Sequence, residues 1–182
     1  VFGAWQSVYG RFNRWCKDGT WQRVHESLLR AADEAGALDK DLWFIDGTSV
    51  RASRAAAGAR RKCSPLEPAD HALGRSRGGF GSKLHVVCDR RGTPLVAAVS
   101  PGQRHESRCF EMAMDSVRIP RQRGRPHRRP RRLGGDKAYS VPWIRCWLRR
   151  RKILPVIPTR SNQRTETRFD REAYRERNTI ER

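Results

Sequence analysis

Leu42-Trp43-Phe44-Ile45-Asp46 is a run of four apolar, aromatic or β-branched residues closed by an acid. A continuous run of this kind reads as a buried central strand, with its carboxylate at the C-terminal end. Downstream, residues 82–89 and 94–100 read as two further strands, joined by a hairpin at Arg91-Gly92-Thr93. A helix is predicted from His105 to about Val117. Arg132-Leu133-Gly134-Gly135-Asp136 is a weaker strand signal, again ending at an acid. A helix carrying Trp143, Ile144, Trp147 and Leu148 follows. Ile153 to Pro158 reads as a last short strand, placed at an edge by its prolines. In the final helix Asp170 is the N-cap, with Phe169 and Tyr174 at the staple positions. Residues 51–79, rich in Ala, Arg and Gly, read as an irregular insertion. The order predicts an α/β fold with a mixed sheet covered by helices.

Upstream, Trp5, Tyr9 (or Val8), Phe12 and Trp15 or Cys16 fall at helical spacing until Asp18-Gly19. Thr20 can cap a second helix with an apolar stripe of Trp21, Val24, Leu28, Leu29 and Ala32, closed by Gly36. Residues 1–40 thus form an N-terminal helical segment, and 41–182 the main domain. The segment could be part of a helix-turn-helix, but its charge is near neutral, with six basic and five acidic residues. That favours a helical hairpin packed on the main domain over a DNA-reading element. The chain starts at Val1 without a Met and stops inside an apparently helical pattern, so it reads as a fragment.

Lys and Arg number 39 against 19 Asp and Glu, a net charge of +20 over 182 residues. Such a balance points to a polyanionic partner, most commonly nucleic acid. Its densest stretch, Arg118 to Arg132, holds eight Arg, three Pro and one Gly. This composition predicts a mobile surface loop, either a phosphate-contacting arm or a solvated loop with no specific role. No apolar run approaches the roughly 18 residues of a membrane span, and no N-terminal segment has the basic, apolar, small-residue layout of a secretory signal. The five cysteines, Cys16, Cys63, Cys88, Cys109 and Cys146, are widely spaced and odd in number, so reduced thiols are expected. His85-x2-Cys88 with His105-x3-Cys109 is a poor zinc pattern, better read as buried thiols.

Asp46 and Asp136 end two strands, and sites in open α/β sheets form outside strand carboxyl ends. Glu181 shares one face of the final helix with Tyr174 and Arg177. If that helix packs beside the strand ends, three carboxylates converge within a lobe of strongly positive charge. Carboxylate oxygens suit Mg²⁺, and paired ions can serve both the attacking and leaving oxygens of a phosphoryl transfer. Taken singly, each acid reads as a cap or an ion-pair partner before it reads as catalytic.

Trp43-Phe44-Ile45-Asp46-Gly47-Thr48-Ser49-Val50-Arg51 resembles the first-acid segment of bacterial insertion-sequence transposases of the DDE class, specifically the family named after insertion sequence five. Gly74 to His85 and Pro94 to Ser107 resemble the central strands of that family. Gly135-Asp136-Lys137-Ala138-Tyr139-Ser140 resembles its second-acid segment. Tyr174, Arg177 and Glu181 match the first three positions of its third-acid signature, and the fourth, basic position would fall past the last residue. The resemblance covers nearly the whole chain. It implies an RNase H-like catalytic domain that cleaves and transfers DNA strands at terminal inverted repeats. It implies Asp46, Asp136 and Glu181 as the catalytic, metal-binding triad, with Mg²⁺ or Mn²⁺ as cofactor.

Around that triad, Arg51, Arg75, Arg77, Lys83, Lys137, Tyr174 and Arg177 are the candidate DNA contacts, and Gln103 and His105 stand near the site. DNA ends and target DNA are the expected partners, in a homo-oligomeric complex located in the bacterial cytoplasm on the nucleoid. Two other readings remain open. One is a basic nucleic-acid-binding protein or transposase remnant without catalysis, whose binding ignores Mg²⁺ and all three acids. The other is a nuclease or resolvase of the same fold, which hydrolyses without joining.

Overall fold

The computed structural model describes residues 3–53, 55–56, 68–163 and 169–181. Cys63 and most of the 51–79 insertion lie outside the described residues. Helices α1 (Trp5–Lys17) and α2 (Thr20–Glu34) precede strands β1 (Leu42–Arg51), β2 (Gly74–Ser76), β3 (Gly79–Asp89) and β4 (Pro94–Pro101). Then come α3 (Glu106–Ser116), β5 (Arg132–Gly135), a 3₁₀ turn (Lys137–Tyr139), α4 (Pro142–Arg150), β6 (Leu154–Val156), α5 (Arg171–Arg175) and α6 (Asn178–Glu181).

The six strands form one mixed sheet. β1 lies at its centre, antiparallel to β3 and parallel to β5. β5 continues in parallel to β6 at one edge, while β4 and the short β2 both pair with the far side of β3. Alternation along β1 explains why it is central. Trp43 and Ile45 point into a core shared with Leu29 of α2, Phe110 and Met114 of α3, and Ile144 and Leu148 of α4. Leu42 and Phe44 point to the other face, where Ala173 of α5 and, at its margin, Ile180 of α6 cover them. Each of the four is fully buried, worth about 1.5–3 kcal/mol apiece. The α/β sheet covered by helices is therefore as the sequence predicts.

Several local expectations are corrected. β1 does not stop at Asp46 but runs on to Arg51, because β3 pairs with it down to Arg51↔Gly81. The N-cap of α2 is Gly19, at φ 73°, and not Thr20; the Asp18 carboxylate takes both the amide and the hydroxyl of Thr20. The insertion contains a strand, β2, against the start of β3. The final helix is two short turns, tightened by i→i−3 bonds at Arg177, Thr179 and Ile180. Its middle is tied elsewhere, Glu176 to Arg90 and Arg177 to Asp46. The arginine-rich stretch is an anchored hairpin rather than a mobile loop. Its Ile119 is fully buried, and Ile119 and His127 form a backbone bridge.

Candidate active site

The parallel register of β1 and β5 pairs Phe44 with Gly134 and Ile45 with Gly135. The next residues, Asp46 and Asp136, therefore stand side by side just past the last β1–β5 pair, where β5 ends and β1 runs on against β3 alone. Phe44 packs so close to Gly134 that a Cβ there would meet the ring at 2.5 Å. The glycines of β5 thus let the two acid-bearing strands lie flush.

Each acid is held in a defined orientation. Asp46 Oδ1 accepts from the Gly47 amide at 2.8 Å, and its Oδ2 accepts from Arg177 Nη1 at 3.1 Å. Asp136 Oδ1 caps the 3₁₀ turn by accepting from the Ala138 amide at 2.8 Å. Glu181 reaches Asp46 through Arg177, whose second nitrogen donates to the Glu181 carboxylate. Arg177 lies 5.8 Å from the centre of the Tyr174 ring, and that ring packs on Phe169 at 5.4 Å. Asp46, Glu181 and Ile180 line a cleft of about 350 Å³ together with Leu84 and Val86.

The electrostatics around Asp46 are those of a crowded acidic site. Burial holds its carboxyl above the usual range, and the charges of Asp136 and Glu106 push the same way, against the Gly47 amide and Arg177. The Tyr139 hydroxyl is buried without a hydrogen-bond partner among the described residues. Burial first, then Glu106, Asp46 and Asp136, hold it protonated far above its ordinary range.

The donor chemistry fits a hard divalent cation: carboxylate oxygens, one of them poorly solvated and surrounded by like charge. Among the described residues no three His, Cys, Asp or Glu side chains converge as placed. The physical reason is Arg177, which stands between Asp46 and Glu181 and neutralises both.

The other candidate residues divide by position. Arg51, Arg75 and Arg77 are exposed at the tip of the β1–β3–β2 ribbon, where Arg51 pairs with Gly81 and Arg75 with Phe80. This tip lies beyond Asp46 on the same end of the sheet. Lys137 is exposed directly after Asp136. Lys83 is committed to an ion pair with Glu106 at 3.1 Å. Gln103 packs over Gly74, where a Cβ would lie 1.5 Å from its Oε1. His105 accepts from the Ser107 amide at 3.2 Å and caps α3. His85 is buried and bonded to Ser100 at 2.8 Å, and burial with nearby Lys83 and Arg104 lowers its pKa to about 4. Cys88 is buried as a thiol, pushed up to about 12 by burial and then by Asp89.

Sequence reasoning missed Glu106. Its side chain packs against Gly47, 3.0 Å from where a Cβ would stand, and its charge bears on Asp46. The available signal was an acid in the first turn of a helix that follows a strand end.

The transposase DDE domain family matches residues 37–182. A Burkholderia cepacia protein named "Putative transposase for insertion sequence element IS402" is 38% identical over 84 residues, 46% of this chain. The chain spans 40% of that protein's length. A cryo-EM structure of the piggyBac transposase synaptic complex with hairpin DNA overlaps 69% of this chain and 24% of its own. Its TM-score is 0.37, at 16% identity. The family match begins just before β1 and takes in every strand, with Asp46 and Asp136, so the chain belongs to the DDE-domain transposases.

Proposed function

We propose that this chain carries the catalytic centre of an insertion-sequence transposase, which cleaves DNA at element ends and joins the freed ends to a target. The observation that carries this is the register that sets Asp46 beside Asp136 at the C-terminal end of two parallel strands, in a protein of charge +20. The strand order β4-β3-β1-β5-β6, with only β5 and β6 parallel to β1, supports the RNase H-like reading.

Asp46, Asp136 and Glu181 would hold Mg²⁺ or Mn²⁺. A bound divalent ion supplies Lewis-acid activation of the attacking oxygen and neutralises charge on the leaving one. The chain's own residues do the rest. Arg177 holds Asp46 and Glu181 in register and stands within reach of a phosphate entering the cleft. Arg51, Arg75 and Arg77 offer the backbone of the incoming DNA a positive tip on the same end, and Lys137 adds a charge next to Asp136. In the first displacement water attacks the phosphodiester at the element end, and the 3′-oxygen leaves as a hydroxyl. In the second, that hydroxyl attacks a target phosphodiester in line, its oxygen forming the new P–O bond as the target strand's own 3′-oxygen leaves as a hydroxyl, and no bond to the protein forms. The two element ends imply a homo-oligomeric complex, acting on the bacterial nucleoid.

Asp46→Asn tests the assignment. Cleavage should fall by at least about a thousand-fold, with DNA affinity changed by no more than about twofold, because exposed arginines carry the binding. Undiminished cleavage would sink the assignment. Hydrolysis without joined products would make the chain a nuclease.

A further inference from the structure

Residues 118–131 connect α3 to β5 through a short hairpin. Ile119 and His127 exchange backbone hydrogen bonds of 2.9 and 3.0 Å at its base. Three contacts fix that base to the body. Ile119 is fully buried, the His127 ring packs edge-on against Trp43 at 5.7 Å, and Arg121 faces Asp33 of α2 at 3.8 Å. Beyond the base, Arg121, Arg125, Arg128 and Arg129 line a concave surface of about 580 Å³ with Pro126 and His127. Arg125, Arg128 and Arg129 are exposed, and no carboxylate among the described residues pairs with them. A fixed scaffold of unpaired guanidiniums is a surface for closely spaced anions.

Its place in the fold sets it apart from the site. The hairpin enters β5 at its N-terminal end, and the Arg131 amide bonds the Lys40 carbonyl just ahead of β1. Asp46 and Asp136 stand at the opposite ends of the buried, paired segments of these strands. At roughly 3.3 Å per residue, β5 alone separates the two by about 13 Å. Along a duplex, that distance is about four base pairs.

We propose that the arginine hairpin is a second DNA-backbone surface, which grips duplex phosphates at least several base pairs from the bond that reacts at Asp46 and Asp136. The acids and the Arg51, Arg75 and Arg77 tip serve one end of the sheet, and the hairpin serves the other. The proposal rests on the transposase reading only for the choice of duplex DNA as the polyanion.

The test is the salt dependence of binding to random-sequence duplexes, by fluorescence anisotropy, for the whole chain and for Arg125→Ala/Arg128→Ala/Arg129→Ala. On a duplex of about 20 base pairs, the triple variant should lose about tenfold or more in affinity. Its log–log salt slope should fall by about 2–3, since each lost phosphate contact removes about 0.9. The charge-preserving Arg125→Lys/Arg128→Lys/Arg129→Lys variant should keep the slope, and it reads the surface even if the alanine variant unfolds. An unchanged slope in the alanine variant overturns the proposal. So does a lysine variant that folds but loses the slope. A loss of heparin binding with duplex affinity retained overturns it too. None of these readouts depends on cleavage, so failure here is distinct from an Asp46→Asn variant that still cuts.

Discussion

Asp46 shows at the residue scale how a site departs from what stability alone would select. It is half-buried, faces the charges of Asp136 and Glu106, and has one cation, Arg177, to offset them. Burial first, then like charge, raises its carboxyl, so folding shifts the group toward protonation relative to the unfolded chain. The stability this group contributes is present at acid pH and is lost as pH rises through the folded value. Asp46→Asn keeps the shape and removes the charge, and Arg177 still has Glu181 as its partner. The variant should therefore be more stable than the parent at pH 7, by about 1 kcal/mol. The gain should shrink as pH falls and vanish well below about pH 4, the ordinary Asp value, where Asp46 is neutral in both states. Urea unfolding at the two pH values reads this directly, and a variant less stable at pH 7 would show that the Arg177 bond outweighs burial and repulsion.

Elements explain which parts of this arrangement the sequence could disclose. The strands holding Asp46 and Asp136 are legible because their signal is local: Leu42 to Ile45 is continuously apolar, and Arg132 to Gly135 stops at an acid. Glu106 carried only the weak signal of an acid opening a helix, because it reaches Gly47 only after the β3–β4 hairpin has brought the start of α3 back over β1. The break between α5 and α6 was hidden for the same reason, since Glu176 and Arg177 are held by Arg90 and Asp46, far off in sequence. Composition marked residues 118–132 as unable to fold back on the body, yet one buried Ile119 and one ring on Trp43 suffice to fix them. The close fit of β1 on β5 gives the sharpest test at this scale. In Gly134→Ala the new methyl meets the fully buried Phe44 ring at 2.5 Å, and neither strand can yield without moving its acid. The cost should be about 1–3 kcal/mol in thermal or chemical unfolding, with cleavage lost in molecules that remain folded. A variant of parental stability and activity would mean that β1 and β5 tolerate separation.

Over the whole molecule, the near-neutral helical segment divides in its relation to the core. α2 belongs to it: Leu29 is buried among the residues of β1, α3 and α4, and His25 bonds the Pro94 carbonyl at 3.0 Å. α1 does not, for none of its residues is buried. It leans on α2 through Phe12 and Trp15, which meet Trp21 at 5.9 and 5.3 Å. Trp5, Tyr9 and Phe12 remain 70, 60 and 52% exposed. Packing of this kind removes little apolar surface from water, so it contributes little to the cooperative fold. Deleting residues 1–18 should lower the unfolding free energy by no more than about 1 kcal/mol, whereas Leu29→Ala should cost about 2–5 kcal/mol by opening the core beneath α2. The deletion should also leave the salt slope of duplex binding unchanged, because the stretch it removes carries three basic residues and one acidic one of a chain whose net charge is +20. If the deletion destabilised the protein as much as Leu29→Ala, the aromatic contacts on Trp21 would be part of the core after all. A fall in the salt slope would instead place α1 on the DNA.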